Sequence, residues 1–223
     1  KLQLCLSLVS PIKEKLDSKV NEEKALKNSI EVFEGSSPEE KENQKKELEE
    51  KIAELEKVKS ELKNAVDNKK REEKIQVYKE FMPDLINTDE IIRYLDGVGY
   101  FTAPSSFKRH GAWIGGNFDH SLKVTEYLLE YKNANWSRKE SPYIIGMFHD
   151  LCKSDIRTFV IDGGKERIIS TQNNDHRHSE KSLEMLSKII ERTIEEKLCI
   201  YYHMGEHEDD YEYRILMEKM IEK

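Results

Sequence analysis

The sequence predicts a mainly α-helical protein in two parts: an antiparallel helical hairpin, or coiled coil, over residues 11–80, and a helical bundle with a small β-hairpin over residues 81–223. Three observations predict this. Apolar residues recur at helical spacing along most of the chain. Composition changes near residue 80, with a charge-dense stretch almost free of aromatics before it and most of the Tyr, Phe, Trp and His after it. Thr158–Phe159–Val160–Ile161 and Arg167–Ile168–Ile169 interrupt the helical pattern and flank Asp162–Gly163–Gly164, a hairpin signal.

The elements follow in order. Leu2, Leu4, Leu6 and Leu8 alternate with polar positions, so residues 1–10 read either as a short strand or as the remnant of an upstream helix. A chain opening on Lys1 reads as a fragment. Ser10–Pro11 supplies an N-cap and a first-turn proline, and Ile12, Leu16, Val20, Leu26, Ile30 and Phe33 form one narrow stripe. Gly35–Ser36–Ser37–Pro38 ends that helix and starts another, with Ser37 and Glu40 spaced as a capping box. Leu48, Ile52, Leu55, Leu62 and Val66 fit a heptad pattern with Lys59 at one a position. Such an arm serves as a dimerisation or partner-docking device, or as a solvated spacer.

Pro83 and Asn87–Thr88–Asp89 mark entry to the bundle. Thr88 caps a short helix with Gly97 just past its end. Residues 98–118 form a loop ending in Lys108–Arg109–His110–Gly111–Ala112–Trp113–Ile114–Gly115–Gly116, suited to closing over an anion. Asn117 or Asp119 caps a helix through Val124, Leu128 and Leu129, with His120 in its first turn. Ser141–Pro142 opens the next helix, and His149–Asp150 fall in its C-terminal half. His178 opens a helix through Leu183, Leu186, Ile189 and Ile190, and a Thr193–Glu196 capping box opens a last one carrying Leu198, Ile200, Tyr201 and His203.

Composition narrows function. The chain has 223 residues, a net charge of -7 and 37% apolar residues, an acidic balance that disfavours an extended nucleic-acid surface but leaves room for a small phosphorylated substrate. Cys5, Cys152 and Cys199 are odd in number with no CxxC spacing, which fits free thiols in a reducing, cytoplasmic setting. No stretch approaches the roughly 20 apolar residues of a membrane span.

The chemistry centres on Met147–Phe148–His149–Asp150–Leu151–Cys152–Lys153. An imidazole beside a carboxylate suits a hard or borderline divalent cation, and a lysine three residues on suits a phosphate. His120, His178 and His203 lie at or near the ends of expected helices, where side chains from separate elements can converge. A lone histidine at a helix end is more often a cap or core group, which is the reading given to His176 and His207.

On these residues, the region from about 98 to 210 resembles the HD-domain superfamily of metal-dependent phosphohydrolases. Phe148–His149–Asp150–Leu151–Cys152–Lys153 is similar to the family's central motif, and Gly115–Gly116–Asn117–Phe118–Asp119–His120 to its first-histidine motif. Arg177–His178–Ser179–Glu180 and Tyr202–His203–Met204–Gly205 resemble later histidine motifs of two-metal members. The resemblance implies a helical bundle around one or two divalent ions (Mn, Mg, Fe, Ni, Co or Zn). It implies His120, His149 and Asp150 as ligands, with His178 and His203 for a second ion. The family's last ligand is an aspartate on a C-terminal helix; here either Asp209 or Asp210 substitutes, or the ligand is missing from an incomplete C-terminal end. On this reading Asp150 and Lys153 are catalytic, with Arg109 and His110 neutralising charge on the phosphate and Asp155 steering water. The expected function is hydrolysis of a nucleotide or other phosphoester. The alternatives are a degenerate HD module that binds a nucleotide or protein, and a single-strand nuclease. A homodimer or partner contact is expected through residues 11–80.

Overall fold

The structure is a computed structural model that describes residues 14–15, 17–27, 38–108, 111–131, 134–162, 165–170 and 178–204. The expected strand at 1–10, the Ser10–Pro11 cap and the turn at Gly35–Ser36–Ser37 lie outside these residues. The chain divides into two compact units, residues 1–73 and 74–223.

In the first unit, residues 17–27 form helix α1, and the long helix α2 begins, running Pro38–Phe81. Lys27 pairs with Glu56 at 3.1 Å and Glu23 with Lys59 at 3.3 Å. As the number rises on α1 it falls on α2, so the two helices run antiparallel. Glu23 is 8% exposed and also holds Lys27. That carboxylate accommodates the lysine in the apolar heptad: Lys59 meets a charge of opposite sign, while Leu55 and Val66 of the same stripe are buried.

The second unit begins with the last turns of α2. Its core is aromatic, with Tyr78, Tyr100, Phe101, Phe118 and Phe148 fully buried. Tyr100 stands edge-on to Phe101 and Phe118, with centroids 5.5 and 5.9 Å apart, each such pair adding about 0.5–1.5 kcal/mol beyond its area. The buried hydroxyls are satisfied, Tyr78 donating to the Ile86 carbonyl and Tyr100 to that of Met147.

After a 3-10 turn at Asp84–Ile86, helix α3 (Asp89–Gly97) is capped by Thr88, whose Oγ accepts from the Ile91 N–H. Gly97 is its last helical residue rather than the stop. The left-handed residue is Gly99, φ 80°, and the chain wraps there through Tyr100 N–H to the Leu95 carbonyl at 2.9 Å.

Helix α4 (Gly116–Glu130) starts from Gly115, φ 74°, with no side-chain cap. Neither Asn117 nor Asp119 caps it: Asp119 accepts from Lys74 and from the Trp113 indole, and Asn117 is taken by the site. The glycines of the preceding loop serve packing. A Cβ on Gly115 would stand 2.8 Å from the Phe101 carbonyl oxygen, and one on Gly116 2.1 Å from that of Gly111.

Helix α5 (Ser141–Phe148) crosses α4 where Gly146 meets Thr125. The short helix α6 (Lys153–Ile156) leads into strands β1 (Arg157–Asp162) and β2 (Lys165–Ser170), paired antiparallel with Arg157 opposite Ser170. Helix α7 (His178–Leu186) is shorter than expected, with Ile189 and Ile190 beyond its end. Helix α8 (Ile194–Tyr201) has the expected Thr193–Glu196 capping box and packs against α5 and α7. The architecture is therefore mainly helical with one two-stranded ribbon, as the sequence predicts.

Candidate metal centre

Three elements bring the site together. His120 projects from α4 as its fifth residue, in the second turn rather than the first, because the helix starts at Gly116. His149 and Asp150 lie just past α5 instead of within it. There the chain tightens: His149 N–H still bonds four residues back to Ile145, but Leu151 N–H bonds three back to Phe148. His203 lies in the turn after α8, not on the helix.

The imidazoles of His120 and His149 meet with their Nε2 atoms 3.2 Å apart. Asp150 Oδ2 is 3.2 Å from His149 Nε2 and 3.5 Å from His120 Nε2. Its other oxygen, Oδ1, is 3.5 Å from His203 Nε2. Lys153 pairs with Oδ2 from one turn along the chain. His149 and Asp150 are buried, 5% and 3% exposed, so their interactions are weakly screened by solvent.

The orientation of the rings is fixed by backbone. His149 Nδ1 lies 2.8 Å from the Gly146 carbonyl, and His203 Nδ1 lies 2.6 Å from the Ile200 carbonyl. A carbonyl can only accept, so each Nδ1 carries the proton and each Nε2 presents a lone pair to the site. The His149 lone pair therefore faces His120 Nε2, 3.2 Å away, and the His203 lone pair faces Asp150 Oδ1 at 3.5 Å. Asp150 Oδ1 and His203 Nε2 are buried with no hydrogen-bond partner among the described residues, which is costly for polar atoms unless another group satisfies them. An ionised carboxylate ringed by basic nitrogens is a donor set for a divalent cation, and His120, His149 and Asp150 offer ligand atoms all within 4.8 Å of one another.

The other expected residues divide. His178, at the start of α7, lies outside that ligand group; burial, then the Arg157 charge, holds its imidazole below the ordinary value. Asp155 pairs with Lys181 at 2.6 Å and does not line the cavity beside the metal centre. Arg109, His110, Asp209 and Asp210 lie outside the described residues, as do His176 and His207.

Two residues have roles that the sequence does not reveal. Asn117 is fully buried and its Nδ2 donates to the Asp150 carbonyl at 3.1 Å, tying the first turn of α4 to the ligand turn. Arg157 donates to the Ser105 carbonyl and lies over the Phe107 ring at 5.0 Å. Burial lowers its guanidinium from the ordinary value, and the Asp150 charge opposes that shift. The Gly–Gly–Asn run before His120 was a signal for the first. An arginine four residues after Lys153 was the only signal for the second.

Residues 117–221 match the family model of the HD domain. No curated protein and no solved structure matches the chain. The match begins at Asn117, spans both halves of the ligand group and names a family of metal-dependent hydrolases. The helical fold and the His–Asp cluster agree with it, and residues 117–221 are similar to the HD domain.

Proposed function

We propose that this protein is a phosphoester hydrolase whose divalent cation is held by His120, His149 and Asp150. The observation that supports this most strongly is the pairing of the two Nε2 atoms against Asp150, with the His149 ring oriented by a backbone carbonyl. When bound, such a cation supplies Lewis acidity and lowers the pKa of water towards neutrality.

The remaining work falls to the chain itself. Gly146 and Ile200 keep protons on the Nδ1 atoms of His149 and His203, leaving the Nε2 atoms basic. Asn117 fixes the backbone of Asp150. Lys153 offsets the carboxylate charge and lines the cavity that opens from the site, where its ammonium meets an incoming phosphate. In hydrolysis the water oxygen forms the new P–O bond, the P–O bond to the organic group breaks, and the organic oxygen leaves with one proton of the water. His203, on the far carboxylate oxygen, is the candidate to extend the site to a second cation.

The test is metal analysis of the purified protein, then phosphate release with Mn, Mg, Ni or Co. His149→Ala and Asp150→Ala should each lose bound metal and at least about 100-fold in rate, a factor consistent with loss of a principal electrostatic element. Unchanged release in both variants removes the proposal, and metal binding with no release from any phosphoester turns it into a binding module.

A further inference from the structure

The cavity beside the metal centre has a volume of about 630 Å³ and is lined by two chemically different sets of residues. One holds the ligand group and Lys153. The other is apolar, built from Val124 and Leu128 of α4, Ile145 of α5, Leu198 of α8 and Trp136. Among the described residues that line it, Lys153 is the single ammonium or guanidinium, and it is engaged with Asp150. A polyphosphate chain calls for several cations, whereas this wall favours removing an uncharged organic group from water.

A second observation concerns how Trp136 is held. Ser137 donates to Glu195 through its N–H at 2.8 Å and its hydroxyl at 2.7 Å. Arg138 makes a two-pronged contact with Glu196, both bonds 2.8 Å, and reaches the Glu191 carbonyl at 3.0 Å. Glu196 is fully buried and also accepts from Ser141 and from the Thr193 N–H. None of these bonds involves His120, His149, Asp150 or His203. The network fastens the two residues after Trp136 to the start of α8, the helix that carries Leu198. An aromatic wall fixed in advance spares a ligand the entropy of ordering it.

From this we infer that Trp136 sets the substrate class: the site takes a phosphomonoester whose organic part is an uncharged ring, seated against Trp136, Leu128 and Leu198 with its phosphate at the metal centre. The inference rests on the hydrolase reading for the chemistry, but its test reads binding. Phenylphosphonate and methylphosphonate carry the same anionic head on a bond that does not hydrolyse, and differ in the ring. Titrated calorimetrically into the full chain with Mn²⁺, phenylphosphonate should bind at least about tenfold more tightly, the scale expected for burying a ring. Trp136→Ala should bring the ratio of the two affinities to within about twofold of unity, and Trp136→Phe should restore most of it. A wild-type ratio near unity, binding of neither phosphonate, or a preference that survives Trp136→Ala overturns the inference. A ring preference in a protein that releases phosphate from no ester leaves the inference standing and removes the hydrolase reading. Ester hydrolysis with no ring preference does the reverse.

Discussion

The side-chain amide of Asn117 donates to the main-chain carbonyl of Asp150 at 3.1 Å, fully buried, across 33 residues of sequence. It connects the helix that carries His120 to the turn that carries His149 and Asp150, so the separation of the ligands depends on a residue that is not itself one of them. Asn117→Ala removes this bond and leaves the carbonyl only the Lys153 N–H at 3.0 Å, at a cost of about 0.5–1.5 kcal/mol. Metal affinity should fall about 10–100-fold, as for other groups that support a ligand from behind. Denaturant titration and metal calorimetry on the same variant read the two effects. Affinity unchanged within twofold would show that the contact positions nothing.

Gly146→Ala tests the crossing of α4 and α5. A Cβ there would stand 2.3 Å from Thr125 Oγ, 2.6 Å from its Cα and 2.8 Å from its N. Two of those atoms are backbone, so the helices must separate. The expected cost is about 2 kcal/mol, in the range for overpacked cores. The same shift moves His149, whose Nδ1 is held by the Gly146 carbonyl, so metal affinity should drop with stability. Thermal melts with and without metal measure both.

Glu196 provides a pH-dependent part of stability remote from the metal. Burial pushes its carboxyl up, but Arg138, the Thr193 N–H and Ser141 outweigh this and hold it below its ordinary value of 4.5. A carboxyl lowered in the folded state stabilises the fold above its unfolded value and loses that contribution as pH falls through its folded value. Glu196→Gln should therefore cost about 3 kcal/mol at neutral pH, the scale for breaking a buried ion pair. The difference from wild type should shrink only below about pH 4.5. Denaturant midpoints measured across acid pH give the curve, and a constant difference down to pH 3 would contradict it.

Removing the cation should destabilise the protein by mass action. At a free metal concentration about 100 times Kd, binding to the folded state alone adds about 2.7 kcal/mol. Chelation should lower Tm in wild type and leave it almost unmoved in Asp150→Ala. Equal shifts in both would place the metal elsewhere.

Much of this was legible in sequence because the signals were local. The His149–Asp150 pair, the Thr88 cap and the Thr193–Glu196 box each lie within a few residues, and the structure shows both caps. The faces of α4 were not legible. Of the apolar residues Val124, Leu128 and Leu129 that mark the helix in the sequence, Val124 and Leu128 line the cavity and Leu129 is 41% exposed. The side that packs is Phe118, Ser121 and Thr125, since a close crossing at Gly146 needs small groups rather than greasy ones. Periodicity cannot separate a core wall from a ligand wall, because both are apolar. Nor could spacing reveal that Arg138 reaches Glu196, 58 residues away, or that Lys59 answers Glu23 on another helix.

The most direct measurement is anomalous scattering from crystals of the full chain grown with Mn²⁺. The expected result is a peak about 2.0–2.3 Å from His120 Nε2, His149 Nε2 and an Asp150 carboxylate oxygen together, at distances usual for such ligands. A Mn²⁺ peak bound elsewhere, or no peak with those three side chains closed on one another, would contradict it.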